Sequence, residues 1–193
     1  MTRLTWAATL LGLGLIGCGA PQPAEETAAA PPAAAPGADA PAAQAAGPTR
    51  AVATLQTAQG ASAGTATATL ADGRVMISLA AQGLPPGRHG VHIHTTGRCD
   101  PPSFESAGAH WNPTSMQHGL EPPPGQHAGD MPNLTVGPDG RGSLEYHLEG
   151  GDFTGLLDQD GSAFIVHAAA DDQRTDPSGN SGDRIACGVF NAG

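Results

Sequence analysis

Gly64-Thr65-Ala66-Thr67-Ala68-Thr69-Leu70-Ala71-Asp72-Gly73-Arg74-Val75-Met76-Ile77-Ser78-Leu79 is two strand-like runs joined by a turn. Residues 64–70 alternate and residues 74–79 run apolar. Asp-Gly between such runs signals a hairpin, because both residues tolerate the backbone that a tight turn needs. Ala51-Val52-Ala53-Thr54-Leu55 precedes the pair as a third strand. Downstream, residues 90–95, 133–136, 142–148, 163–168 and 185–190 read as further strands, with Pro138-Asp139-Gly140 as a second turn. No segment carries a convincing helical period. Many short strands at turn-rich spacing predict an all-β domain, an antiparallel Greek-key β-sandwich or flattened barrel.

Two regions fall outside that scheme. Residues 96–131 are crowded with Pro, Gly and His, and residues 169–184 with Asp, Ser and Gly. Structureless loops of that length are uncommon in a compact domain unless they are functional or held by something other than a core. Metal ligands and a disulfide would hold them.

Upstream of the strands the composition changes twice. Arg3 and the weakly apolar run 4–17 read as a signal peptide, too short to cross a bilayer as a stable helix. It ends at Leu15-Ile16-Gly17-Cys18, the pattern of bacterial lipoprotein precursors, in which Cys18 would carry lipid; a free cysteine after an ordinary cleavage site is the plainer alternative. Residues 19–49 are almost entirely Ala and Pro and read as a tether reaching up to about 90 Å if extended at about 3.1 Å per residue. Residues 50–193 have the size of one domain with a proper core. These readings place the protein in the bacterial cell envelope, facing the periplasm or the exterior.

The formal net charge of −10 excludes nucleic acid as a partner, since phosphate neutralisation needs clustered Lys and Arg. With Cys18 assigned to lipid, Cys99 and Cys187 remain as a pair that an oxidising compartment would join, the alternative being two separate buried thiols. A bridge closing a loop of roughly 90 residues stabilises by about 4–5 kcal/mol on the chain-entropy account.

All eight histidines fall between His89 and His167. His92 and His94 flank Ile93 on a predicted strand, so their imidazoles share a face and can reach one ion; alone, the pair reads equally as solvent-facing. There follow Gly108-Ala109-His110-Trp111-Asn112-Pro113, His118-Gly119, His127-Ala128-Gly129-Asp130, Phe164-Ile165-Val166-His167 and Gly182-Asp183-Arg184-Ile185-Ala186-Cys187-Gly188-Val189. Together these residues resemble the copper/zinc superoxide dismutase family over essentially all of residues 50–193.

The resemblance implies copper on His92, His94, His110 and His167, and zinc on His110, His118, His127 and Asp130, with His110 bridging. Four imidazoles suit tetragonal copper(II), and three with a carboxylate suit tetrahedral zinc. It implies that Asp171 joins a copper ligand to a zinc ligand through their outer ring nitrogens, where the plain alternative is a solvated loop charge. It implies that Arg184 stands beside copper and meets the anionic substrate, superoxide, and that His110 moves a proton. Asp171-Asp172-Gln173-Arg174-Thr175-Asp176-Pro177 has proline at Pro177 where many relatives carry lysine, and Asp183 precedes Arg184, so beyond the local field of copper and Arg184 the steering of the anion is either weaker or relies on Arg174. Ala109 stands where relatives often have Gly or Pro. His89 should be structural, facing away from His92, and His147 a strand or surface residue. Asn133-Leu134-Thr135 matches a glycosylation sequon but is incidental in a bacterial lipoprotein. A metal-buffering lipoprotein and a structural adhesin on the same fold are the rival readings, and monomer or homodimer stays open.

Overall fold

The computed structural model describes residues 47–121 and 125–193; the predicted signal peptide, Cys18 and the tether up to residue 46 lie outside the described residues. Among the described residues nine strands follow in chain order: β1 (Arg50–Thr57), β2 (Ser62–Ala71), β3 (Arg74–Ala81), β4 (Gly87–His89), β5 (Val91–His94), β6 (Leu134–Val136), β7 (Gly142–His147), β8 (Ala163–His167) and β9 (Arg184–Ala192). The hairpin expected around Asp72-Gly73 is β2–β3, antiparallel with Ala71 opposite Arg74. Seven strands form one antiparallel sheet in the order β5-β8-β9-β1-β2-β3-β7, and β4 pairs with β6 beside it. The connections from β3 to β4 and from β7 to β8 cross between non-neighbouring strands, the Greek-key departure from a meander.

The strand expected at 90–95 is β5, and β4 precedes it as an addition, the two divided at Gly90. There the chain changes partners: β4 pairs with β6, β5 pairs with β8, and between them Gly90 N–H donates to Ala169 O while Gly90 O accepts from His167 N–H. That exchange curls the sheet towards closure as a barrel. The other additions are two short 3-10 turns, Glu105–Ala107 and Thr154–Leu157.

The alternation seen in the sequence sorts side chains to the two faces. Ala51, Ala53 and Leu55 of β1, Ala66 and Ala68 of β2, Val75, Ile77 and Leu79 of β3, Val91 and Ile93 of β5, and Phe164 and Val166 of β8 fill the interior. Each fully buried Leu, Ile or Phe contributes about 1.5–3 kcal/mol. β8 is buried on both faces, because Ala163 and Ile165 pack outward against Phe104, Ala107 and Cys187. This second apolar cluster fastens the long loop to the outside of the barrel. The Cys99–Cys187 disulfide completes that attachment. No helix among the described residues is long and apolar enough to cross a membrane.

Candidate metal centre

His92 and His94 project from β5 on the face opposite Val91 and Ile93, so they leave the barrel wall outward, beneath the long loop. The loop is sewn to this strand. His110 bridges opposite His94, and Asp130 opposite His92. Trp111 N–H donates to Ile93 O at 2.8 Å, Ile93 N–H to Gly129 O at 3.0 Å, and Gly129 N–H to Trp111 O at 2.9 Å. A Cβ at Gly129 would lie 2.3 Å from Ile93 O, so only glycine permits this approach. His167 enters from the end of β8, the neighbour of β5, where the β8–β9 register sets it opposite Arg184.

His92, His94, His110 and His167 offer ring nitrogens within 4.8 Å of one another. Four of their nitrogens, His92 Nδ1 and the Nε2 of His94, His110 and His167, are buried without a hydrogen-bond partner. Their opposite nitrogens are all tied: His92 Nε2 to Asp171 Oδ2 at 2.7 Å, His94 Nδ1 to Gly108 O at 2.9 Å, His167 Nδ1 to Gly182 O at 3.0 Å, and His110 Nδ1 to Asp130 Oδ1 at 3.0 Å. For His92, His94 and His167 that bond puts the ring proton on the outer nitrogen and leaves a lone pair inward, while the Nδ1 of His110 faces a second set of donors. Burial opposes a proton there, pushing His92 down to about 3, His167 down to about 4 and His94 well below its ordinary value. An unpaired buried polar group costs about 1–3 kcal/mol, and four convergent lone pairs are rationalised by a cation. Four neutral imidazoles fit copper.

A second set lies behind His110. Asp130 Oδ1 is 3.0 Å from His110 Nδ1, 3.1 Å from His118 Nδ1 and 3.4 Å from His127 Nδ1, and the Nδ1 atoms of His110 and His127 are 3.4 Å apart. Ligands about 2.0–2.1 Å from a tetrahedral centre stand about 3.3 Å from each other, so these four donors have the spacing of a zinc site. His92 also comes close to this set, but its Nε2 is taken by Asp171 and its free Nδ1 belongs to the first; His127 supplies the fourth donor. Asp130 Oδ2 accepts from Gly119 N–H at 2.8 Å and His127 N–H at 3.1 Å, which aims Oδ1 at the imidazoles. Burial alone would raise the Asp130 carboxyl, but its bonds to the three histidines hold it well below the usual carboxylate range. His118 goes the other way: against its burial, bonds to Asp130 and Asp171 raise it to about 9. His110 faces the first set with Nε2 and the second with Nδ1, and only an imidazole has a donor at each end.

Asp171 spans the two sets from outside, accepting from His92 Nε2 through Oδ2 and from His118 Nε2 through Oδ1 at 3.0 Å. Sequence reasoning overlooked the residues that hold it. Asn133 clamps the Asp171 backbone, accepting its N–H at 2.7 Å and donating to its carbonyl at 2.9 Å. Gln173 N–H donates to Asp171 Oδ1 at 2.6 Å. A Cβ at Gly179 would sit 1.7 Å from Asp171 Oδ1 and 2.8 Å from His118 Nε2, so glycine there keeps the cradle open, at a positive φ of 61°.

Arg184 is half-buried, donating through Nη1 to Phe104 O and through Nη2 to Gly108 O, both at 2.7 Å. Gly108 O also accepts from His94 Nδ1, so one carbonyl positions the guanidinium and an imidazole of the first set together. An open cavity lined by Pro102, Glu105, Asp183, Arg184 and Ile185 lies alongside. Arg174 pairs with Glu121 across the two loops, which offsets its charge and favours the weaker of the two steering alternatives. His89 is buried between His167 O and Pro85 O, a structural place, and His147 is exposed on β7.

Residues 62–190 match the family described as copper/zinc superoxide dismutase. A superoxide dismutase-like protein of Bacillus subtilis is 48% identical over 120 residues, which span 59% of this chain and 61% of that protein. A copper-zinc superoxide dismutase of Caulobacter vibrioides is 41% identical over 147 residues, 72% of this chain and 84% of that one. Among solved structures, a SOD-like protein from Bacillus subtilis, carrying histidine in place of a tyrosine and a proline, superposes with a TM-score of 0.66 at 44% identity, covering 72% of this chain and 95% of that chain. The copper/zinc superoxide dismutase from Brucella abortus superposes with a TM-score of 0.62 at 26% identity, over 74% and 99% of the two chains. With the sheet order, two donor sets joined through His110, and these matches, the chain belongs to the copper/zinc superoxide dismutase family.

Proposed function

We propose that this protein dismutes superoxide in the bacterial cell envelope, held at a membrane by lipid on Cys18. The observation that carries the catalytic part is the pair of donor sets sharing His110, with Arg184 fixed beside the copper set. Copper on His92, His94, His110 and His167 would take one electron from one superoxide, giving oxygen, and return it to a second with two protons, giving hydrogen peroxide; zinc on His110, His118, His127 and Asp130 has no redox chemistry and would hold the loop.

The chain's own residues supply the rest. Arg184 draws in and orients the anion, and it is set for that by two carbonyls rather than by a carboxylate that would cancel its charge. His110 Nε2 holds a proton when it is not acting as a ligand and passes it to the reduced anion, while Asp130 keeps the ring in place from the other side. His92 is oriented by Asp171 and His94 by Gly108 O, so the set is preorganised. A protein that only stores metal needs neither the shared imidazole nor a fixed cation beside it.

Superoxide decay followed by pulse radiolysis on metal-free, copper-only, zinc-only and fully loaded protein tests the activity. Removal that tracks copper content is expected; two bound metals without turnover would establish the buffering reading instead. The anchor is tested separately by Cys18→Ala, which should move the protein from the membrane fraction to the soluble one after detergent-free lysis. Unchanged membrane association would sink the lipid assignment.

A further inference from the structure

The zinc-side histidines present Nδ1 to the shared centre, so their Nε2 atoms face outward. His110 Nε2 belongs to the copper set, and His118 Nε2 bonds Asp171. The acid facing His127 Nε2 is Asp176, whose Oδ1 lies 3.8 Å away, an ion-pair separation. The same oxygen accepts the backbone N–H of His118 at 2.7 Å. Around it the two long loops are laced together: Glu121 N–H donates to Gln173 O at 3.4 Å, and Arg174 pairs with Glu121.

We propose that Asp176 is a positioning residue for the zinc set, acting on two of its ligands from the second loop. This rests on the reading of His110, His118, His127 and Asp130 as that set. A neutral imidazole carries its proton on either nitrogen, and a carboxylate beside one of them draws the proton there. A metal that takes the Nδ1 lone pair needs the His127 proton on Nε2, and Asp176 is the acid that faces that outer nitrogen, against the pull of Asp130, whose Oδ1 lies 3.4 Å from Nδ1. Its hold on His118 N–H fixes the backbone that brings the second imidazole in. Asp171 and Asp176 thus cover the outer nitrogens of His118 and His127, and both come from the second long loop, five positions apart. Removal of such outer partners typically weakens metal binding by about 10- to 100-fold. Asp176 is half-exposed, with 53% of its side chain accessible, so the lower end is expected.

Asp176→Ala removes both contacts, and Asp176→Asn keeps an oxygen for His118 N–H while deleting the charge facing His127. Zinc dissociation constants measured by competition with a chromophoric chelator should rise about tenfold in Asp176→Ala and less in Asp176→Asn, with copper retention unchanged. Imidazole 15N NMR of the zinc-loaded protein should show the His127 Nε2–H resonance shifted in both variants relative to wild type. Wild-type zinc affinity in Asp176→Ala, or weaker binding with the His127 Nε2–H resonance unmoved, overturns the proposal. Asp130→Ala in the same titration keeps the two questions apart: stoichiometric zinc there would sink the zinc-set reading itself.

Discussion

At the scale of single residues, the site depends on donors whose second atom is already committed. Asp130 shows this most clearly: one oxygen takes two backbone N–H groups and the other faces three imidazoles. Asp130→Ala should therefore abolish stoichiometric zinc and leave two buried N–H groups unpaired, at about 1–3 kcal/mol each, while copper-dependent activity falls without vanishing; elemental analysis beside a superoxide assay checks both. Arg184 makes no bond to any nitrogen of either set, so its replacement separates substrate attraction from metal binding. Two unit charges 4 Å apart interact by about 4 kcal/mol at an effective dielectric near 20, and Arg184→Glu reverses the sign. We expect the rate to drop by about tenfold or more with both metals in place. Full activity in a metal-replete Arg184→Glu protein would return the residue to a purely structural role and favour metal buffering. Arg174→Glu, by contrast, breaks an exposed pair with Glu121 and should alter the rate little.

At the scale of elements, the long loop keeps its place by three attachments: the bridges to β5, the apolar cluster of Phe104, Ala107 and Ile165, and the disulfide from Cys99 to β9. Cys99→Ser removes the covalent one across a separation of 88 residues, worth about 4–5 kcal/mol on the chain-entropy account. The expected result is a lower melting temperature and faster metal loss, and two reactive thiols in native unreduced protein would deny the bridge altogether. Much of this was legible in the sequence. Alternation at 51–55 and 64–70 with Asp72-Gly73 foretold β1 to β3, and His92-Ile93-His94 foretold two imidazoles on one face, because those signals are local. β4 was not: Pro85-Pro86-Gly87-Arg88-His89 has no alternation, and its strand exists only because β6 pairs with it. The break at Gly90 likewise arises from an exchange of partners. Asn133 was read only as a strand end and part of a sequon, since nothing local marks a side chain whose partner is the Asp171 backbone, 38 positions away.

At the scale of the whole molecule, folding gathers buried basic groups that must stay neutral, and this ties stability to pH before any metal binds. In the metal-free protein His92 and His167 are pushed by burial down to about 3 and about 4, and His94 well below its ordinary value, from an unfolded value of 6.5. Between pH 6.5 and about 4 the unfolded chain therefore binds protons that the folded chain refuses, so stability falls as pH falls. By pH 4.5 an imidazole held near 3 or 4 costs about 2–3 kcal/mol, at about 1.4 kcal/mol per pH unit. His118 has the opposite sign: raised to about 9, it contributes fully below pH 6.5 and its contribution is lost as pH climbs through 9. The carboxyls of Asp130 and Asp171, both depressed, contribute above their unfolded value of 3.8 and lose that only in stronger acid. The metal-free protein should thus melt highest near neutrality, lose melting temperature steeply from pH 7 to 4.5, and lose less from pH 7 to 9.5. Metal on the same nitrogens competes with protons, so the loaded protein should hold its melting temperature further into acid and then lose it together with its metals. Calorimetric melts of both forms across that range measure this. A metal-free protein with a flat profile down to pH 4.5 would mean that the four inward nitrogens are not the buried, neutral lone pairs on which the copper assignment depends.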